Sequence, residues 1–304
     1  MDRERIMNII KKHYESVVGR GYEVVGVFLT GSQNYGMDID ESDVDTKAIV
    51  IPSFDHYANN MSEITLNIAD VCSDLLSGNC LVKDISSVGN LWLKGSMNFI
   101  EILFTEYKIV NPKYESFMNE LINEREMIAH CKPHSTLLCA LKMMKNKFKY
   151  IQHDVDILCN DLDNDIQLKS ISKSYTHIAR LNDFIRRFYN GELYESCLRV
   201  PESISSLRNL IIFKSSIASL MMEADKLIYQ SEEIIISDIN FGNTKYNETV
   251  ELINKVCKEV IKKSLLSEFG FIECNVPLMT TNIVNANGRC YSDEIYQKFM
   301  RGLK

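Results

Sequence analysis

The sequence predicts an α+β protein, with a small mixed sheet in residues 1–130 and a mainly helical second part in residues 131–304. Three observations carry that prediction. The apolar, β-branched run Val24–Thr30 halts at Gly31-Ser32, as a buried strand entering a tight turn does. A second strand-like run opens with Asp43 and Asp45 and closes on Ile49-Val50-Ile51-Pro52, where proline removes a ladder donor. Beyond about residue 130, nearly every segment repeats its apolar residues at helical spacing.

Composition narrows the function classes. The 304 residues are 45% apolar and 25% charged, as in a water-facing globular chain. A net charge of −7 argues against a surface built to grip nucleic acid all over, although a local basic groove is compatible with it. Nine cysteines form no Cys-x-x-Cys pair and have no histidine at zinc spacing, so they read as reduced thiols. The N-terminus lacks a signal-peptide apolar stretch, and the longest apolar run, Leu210–Met222, is short and broken by Lys214. The expected location is the cytoplasm, without membrane contact.

Taken in order, Ile6, Ile9, Ile10, Tyr14 and Val17 mark a first helix that Gly19 and Gly21 stop. The first strand and the Gly31-Ser32 turn follow. Such a turn leaves backbone N–H groups free, and a short helix starting there would add a positive dipole end, which makes a place for phosphate. Asp43 and Asp45 stand at i and i+2, so a strand puts both carboxylates on one face. Two carboxylates beside a phosphate cradle suit Mg²⁺, which takes one or two carboxylates plus phosphate oxygens. A solvated Asp-rich turn accounts for Asp38 and Asp40, but not for this alternation into Ala48–Ile51. A short helix or loop is expected over 55–60. A hairpin follows, with strand pieces in Ile64–Leu76, a turn at Ser77-Gly78-Asn79 and a strand over Cys80–Ile85. A helix then spans Ser87–Lys94.

Gly31-Ser32 after the first strand, with Asp43-x-Asp45 on the second, resembles the signature of the DNA polymerase β-like nucleotidyltransferase superfamily. That resemblance covers Val24 to Pro52. Tyr35-Gly36, Val82–Ile85 and Asn98–Thr105 are similar to a little-studied bacterial and bacteriophage branch. The resemblance implies a nucleotidyltransferase core, an NTP substrate, and two Mg²⁺ ions, with Mn²⁺ as a substitute. It adds Tyr35 to Gly31 and Ser32 as nucleotide-binding candidates. It also implies a third metal-binding carboxylate on a later strand, and Asp84 matches by order and strand context. Asp84 has another reading, as the cap of the helix starting near Ser86. Glu101, a lone carboxylate in the apolar run Asn98–Phe104, needs a partner if buried. It is the alternative third acid, or else it bonds a backbone N–H and steadies the Gly-Ser turn.

In the second part, Pro112 and Pro133 bracket an amphipathic helix, and Thr136–His153 forms another that buries Leu137, Leu141, Met144, Phe148 and Ile151. Lys142, Lys145 and Lys149 make a basic stripe on a different face. It is either a solvated surface or a contact for triphosphate or RNA backbone. Asp154–Asp165 reads as an exposed acidic turn, and Asp161, Asp163 and Asp165 fail as a calcium loop for want of the glycine and glutamate. On the helix over Ser174–Asn190, Lys173, His177 and Arg180 share one narrow face, at i, i+4 and i+7. The same branch carries such a helix, followed by a pair like Gly191-Glu192, and the implied role is to receive the triphosphate opposite the metal. Ser203 begins a further helix containing Arg208, and packing helices run to Lys263; residues 270–304 yield no site.

The resulting expectation is a metal-dependent enzyme that moves NMP from an NTP to a hydroxyl acceptor and releases pyrophosphate. Asp43, Asp45 and Asp84 would be catalytic and metal-binding. An RNA 3′ end, a protein hydroxyl and a small molecule all fit as acceptors. The rivals are a catalytically silent nucleotide-sensing module and an RNA-binding helical protein.

Overall fold

Residues 3–39, 42–69, 77–160, 165–209, 216–237, 245–273, 283–285 and 290–291 are described by a computed structural model of the chain. The N-terminal periodicity becomes α1 (Arg3–Gly19), with Ile6, Ile9, Ile10 and Val17 buried. Gly21, at φ +86°, turns the chain in the left-handed region that L-residues avoid. β1 (Glu23–Thr30), the single-turn α2 (Ser32–Tyr35), β2 (Val44–Ile51), α3 (Phe54–Ala58), β3 (Thr65–Ile68) and β4 (Ser77–Asp84) follow. Then come α4 (Ile85–Leu93), α5 (Met97–Ile100) and the short edge strand β5 (Lys108–Val110).

The five strands form one mixed sheet in the order β3-β4-β2-β1-β5. β2 and β4 run parallel, whereas β1 with β2, β1 with β5, and β3 with β4 run antiparallel. One expectation fails here. Ser77-Gly78-Asn79 is not the hairpin turn but the opening of β4, because Ser77 pairs with Val44 and extends the ladder to the start of β2.

The sheet is buried on both faces, and the period of two on β2 sorts its residues between them. Val44, Ala48 and Val50 pack with α1 against Cys80 and Val82. Ile49 and Ile51 belong to the larger cluster with Ile85, Trp92, Ile100 and the later helices. Asp45 and Lys47, being odd-numbered, fall on the helical side.

The second part consists of α6 (Glu115–Asn123), α7 (Arg125–Ala129), α8 (Pro133–Asn160), α9 (Asp165–Tyr189), α10 (Tyr194–Leu198), α11 (Glu202–Ser205), α12 (Ile217–Ser237) and α13 (Tyr246–Glu268). A 3₁₀ turn over Ser206–Asn209 continues α11. β6 (Phe271–Glu273), β7 (Ile283–Asn285) and β8 (Cys290–Tyr291) make a small antiparallel sheet. The α+β class is as expected. Asp154–Asn160 belongs to α8 rather than to an exposed turn, since Leu158 there is buried in the core. Asp161 and Asp163 lie outside the described residues, and Asp165 opens α9. The change from strands to helices comes after β5, at Val110, and one apolar cluster holds Val25, Trp92, Leu137, Phe184 and Val260 together across residue 130. Among the described residues, the cysteines Cys80, Cys131, Cys139, Cys159, Cys197 and Cys257 are free thiols. No described helix is long and apolar enough to cross a membrane.

Candidate functional site

The site grows from the place where β1 ends. Thr30 pairs with Asp45 across the ladder, so the bend at Gly31 turns directly beside the Asp45 carboxylate. Gly31 takes φ +83° and ψ −160°, a conformation that favours glycine, and a Cβ there would stand 3.6 Å from Asp45 Oδ2. The helix that follows is one turn long. Its dipole is correspondingly small, and any phosphate cradle rests on individual donors rather than on a macrodipole. The Ser32 hydroxyl and the Asn34 side-chain amide belong to that turn, and Asn34 Nδ2 is buried without a partner among the described residues. Gly36, at φ +72°, closes α2 in the left-handed conformation.

Asp45 is half-buried and, among the described residues, held from one side. The Asn79 backbone N–H donates to its Oδ1 at 2.9 Å. Gly78 makes that approach possible, since a Cβ there would lie 2.5 Å from Asp45 Oδ1 and 3.0 Å from the Val44 carbonyl. Burial pushes the Asp45 carboxyl above its ordinary value; the Asn79 N–H opposes this, the Asp43 charge adds to it, and Lys173 and Lys47 pull it back. Asp43 lies just before β2 with its side chain exposed. Gln33 Nε2 donates to its backbone carbonyl at 3.1 Å, which ties the aspartate segment to the Gly-Ser turn.

Asp84 does not join them. It pairs with Val50 in the ladder, five residues along β2 from Asp45, about 16 Å at the usual strand rise. Its Oδ1 accepts from Ser87 N at 2.8 Å, capping α4, and its Oδ2 accepts from Ile64 N at 3.0 Å. The cap reading of Asp84 holds, and its metal role is corrected. The residue that does stand next to Asp45 on β4 is Asn79. Among the described residues, no three of His, Cys, Asp and Glu gather closely enough to hold a metal ion.

Glu101 is buried in a 3₁₀ turn (Glu101–Leu103), with neither oxygen open to a metal. Lys47 Nζ donates to its Oε1 at 2.7 Å, and the Tyr35 hydroxyl donates to its Oε2. It therefore steadies the segment after Gly31-Ser32 through the Tyr35 side chain and not through a backbone N–H. Tyr35 is itself buried, and the Arg180 guanidinium lies over its ring, 4.0 Å from the centroid.

Arg180 belongs to a group of cations that α8, α9 and the 3₁₀ turn bring toward this end of the sheet. Lys173, His177 and Arg180 share a face of α9, as their spacing predicts. Burial, and then the charges of Arg180, Lys147, Lys173 and Arg208, hold the His177 imidazole well below its ordinary value. Lys147 is lowered by burial and by Lys173, Arg180 and Arg208. Arg208 is lowered by burial and raised by Asp43, which places it in the field of the carboxylates. Arg180 is 2% exposed, yet its Nε and Nη1 have no hydrogen-bond partner among the described residues, and neither does Arg208 Nε.

The sequence reading missed Lys147, Lys47 and the role of Gly78, and it named Arg208 only as part of a helix. The signal for Lys147 was available. It stands three residues after Met144 and four before Ile151, beside the buried stripe and away from Lys142, Lys145 and Lys149. Those three lysines are exposed, and Lys145 pairs with Glu232 of α12.

No family model matches the chain, and no curated protein matches it. Among solved structures five chains match. One is a nucleotidyltransferase-like protein from Exiguobacterium sibiricum 255-15, with a TM-score of 0.30 and 8% identity, over 91% of this chain and 97% of that one. A likeness at that TM-score is no basis for assigning chemistry, which rests on the residues above.

Proposed function

We propose that the protein is a nucleotidyltransferase that binds an NTP between the Gly31-Ser32 bend and the α9 cations, and passes its NMP to a hydroxyl acceptor. One observation carries this reading. Lys173 stands in the field of Asp45 and Arg208 in that of Asp43, Lys147 stands in the field of both cations and of Arg180, and Arg180 and Arg208 keep buried N–H groups unpartnered among the described residues. Cations that depress one another's proton affinity form a site for a polyanion, and buried guanidinium groups suit phosphate oxygens.

The donor set fits a divalent cation. Asp45 Oδ2 faces the Gly31 bend, Asp43 is exposed beside it, and phosphate oxygens would complete the shell of Mg²⁺ or Mn²⁺. A bound ion supplies charge neutralisation between carboxylates and phosphates. The second ion that the resemblance implied has no third carboxylate to hold it among the described residues.

In this reading, Gly31 and Ser32 bind the β- or γ-phosphate through N–H and hydroxyl. Lys173, His177 and Arg180 take the outer phosphates, and Asp43 and Asp45 fix the reacting end. The acceptor hydroxyl gives up its proton to water as its oxygen forms a bond to the α-phosphorus, and the bond from that phosphorus to the bridging oxygen breaks, giving an NMP ester and pyrophosphate. The test is incubation with each α-labelled NTP, Mg²⁺ and a cell extract. Label entering RNA, protein or a small molecule, and absent with Asp43→Asn/Asp45→Asn, supports the proposal and identifies the acceptor class. Tight NTP binding with no pyrophosphate released under any condition overturns it in favour of a sensing module.

A further inference from the structure

A buried arginine normally meets a carboxylate, which satisfies its N–H groups and cancels its charge. Arg180 meets a ring face instead. Cation–π contact with Tyr35 holds the guanidinium while its Nε and Nη1 donors meet no hydrogen-bond partner among the described residues. The nearby carboxylate that might have taken it, Glu101, is already held by Lys47 at 2.7 Å, with side-chain exposures of 3% and 11% for the pair. The Tyr35 hydroxyl donates to the other Glu101 oxygen, which fixes the ring in rotation and draws electron density toward it. Burial and the neighbouring Glu101 charge both raise the Tyr35 phenol, so it remains the donor in this bond. Lys47 is on β2, two residues beyond Asp45 on the same face. Tyr35 ends the single turn that begins at Ser32, and Arg180 comes from α9. One chain of side chains thus connects all three walls of the site.

We infer that Lys47, Glu101 and Tyr35 are positioning residues whose work is to present Arg180 to the terminal phosphates of a polyphosphate ligand. The inference rests on the proposed nucleotide reading of this site, but its test needs neither an acceptor nor turnover. Lys47 cancels Glu101, the phenol carries the orientation across, and the ring fixes the guanidinium plane without competing for its N–H groups. A carboxylate in place of Tyr35 would anchor Arg180 equally well and would block the ligand.

Inorganic tripolyphosphate is the probe, titrated calorimetrically into the full-length protein in EDTA, with folding checked by circular dichroism. Arg180→Gln is expected to weaken binding at least tenfold, and Tyr35→Leu by a similar factor. Tyr35→Phe, which keeps the ring and loses the Glu101 bond, is expected to weaken it severalfold. Asp45→Asn should leave affinity equal or raise it, since it removes a repelling charge. The deciding measurement is the double variant Tyr35→Leu/Arg180→Gln. If Tyr35 acts through Arg180, the second change adds nothing to the first. Multiplying effects, or wild-type affinity in Arg180→Gln, would overturn the inference. Should Arg180→Gln not fold, Arg180→Lys with Tyr35→Phe runs the same cycle, because it keeps the charge and removes the planar fork. Loss of NMP transfer with this cycle intact would sink the enzyme reading and leave the phosphate receptor standing.

Discussion

Asp45 and Asp84 stand on neighbouring parallel strands, at opposite ends of one ladder, and their surroundings give them opposite work. Asp84 has one backbone donor on each oxygen and is 2% exposed, so it closes the junction of Ile64, β4 and α4. Asp45 has a backbone donor on one oxygen, a glycine bend before the other, a second carboxylate beside it, and cations across from it. The same side chain is a brace where its lone pairs are filled by the backbone, and on the proposed reading a ligand where one oxygen meets no donor among the described residues.

The sharpest way to break the comparison is to remove each carboxylate in turn. Asp45→Asn should reduce transfer roughly 10³-fold, the scale of losing a preorganised electrostatic contact, with the melting temperature nearly unchanged. Asp84→Ala should cost about 2–4 kcal/mol in urea denaturation, summing a lost N-cap and an orphaned buried N–H, while activity per folded molecule persists. Loss of activity without loss of stability in Asp84→Ala would reverse the two roles.

The next test lies beneath the same ladder, on its α1 face. His13 Nδ1 is 2.7 Å from Thr46 Oγ1 and its Nε2 is 3.0 Å from Ser77 Oγ, so the ring bridges β2 and β4 behind Asp45. Burial lowers its pKa from the ordinary 6.5 to about 4. Above pH 6.5 the ring is neutral in both folded and unfolded chains. As pH falls, the unfolded chain takes up the proton first, so stability is lost between about 6.5 and 4, by up to about 3 kcal/mol. His13→Gln should flatten that part of the pH profile in urea melts, and an unchanged profile would show that His13 is not the group responsible.

A smaller effect is expected at the close contact that shapes Asp45. Gly78→Ala should cost about 1–3 kcal/mol from overpacking against Asp45 and Val44, and should weaken Mg²⁺-dependent NTP binding as well. The smallest effect is a contrast on α8. Lys142→Ala should leave tripolyphosphate affinity within twofold of wild type, whereas Lys147→Ala should weaken it several times more.

Much of the sheet end of the site was legible because strands obey a period of two and turns need particular residues. Gly31-Ser32, the alternation of Asp43 and Asp45, and the shared face of Lys173, His177 and Arg180 all follow from local geometry. Asp84 was misplaced because a strand's sequence does not state which end of its neighbour it reaches. That depends on register, and the turn-like residues Ser77-Gly78-Asn79 conceal the start of β4. Glu101 is a lone carboxylate in an apolar run whose burial demands a partner, but the sequence does not say that Lys47 on β2 and Tyr35 after the bend supply it.

The carboxylates of the site come from residues 43–45, before the sheet ends at Val110, and its cations from residues 147–208, in the helices beyond it. On the proposed reading, a polypeptide ending after Pro133 would keep the acids and the bend but lack Lys147, Lys173, Arg180 and Arg208, the cations that would receive the phosphates. Half a gene here would therefore yield no weakened version of the whole. On that reading the phosphate receptor is complete only with α8 and α9 in place.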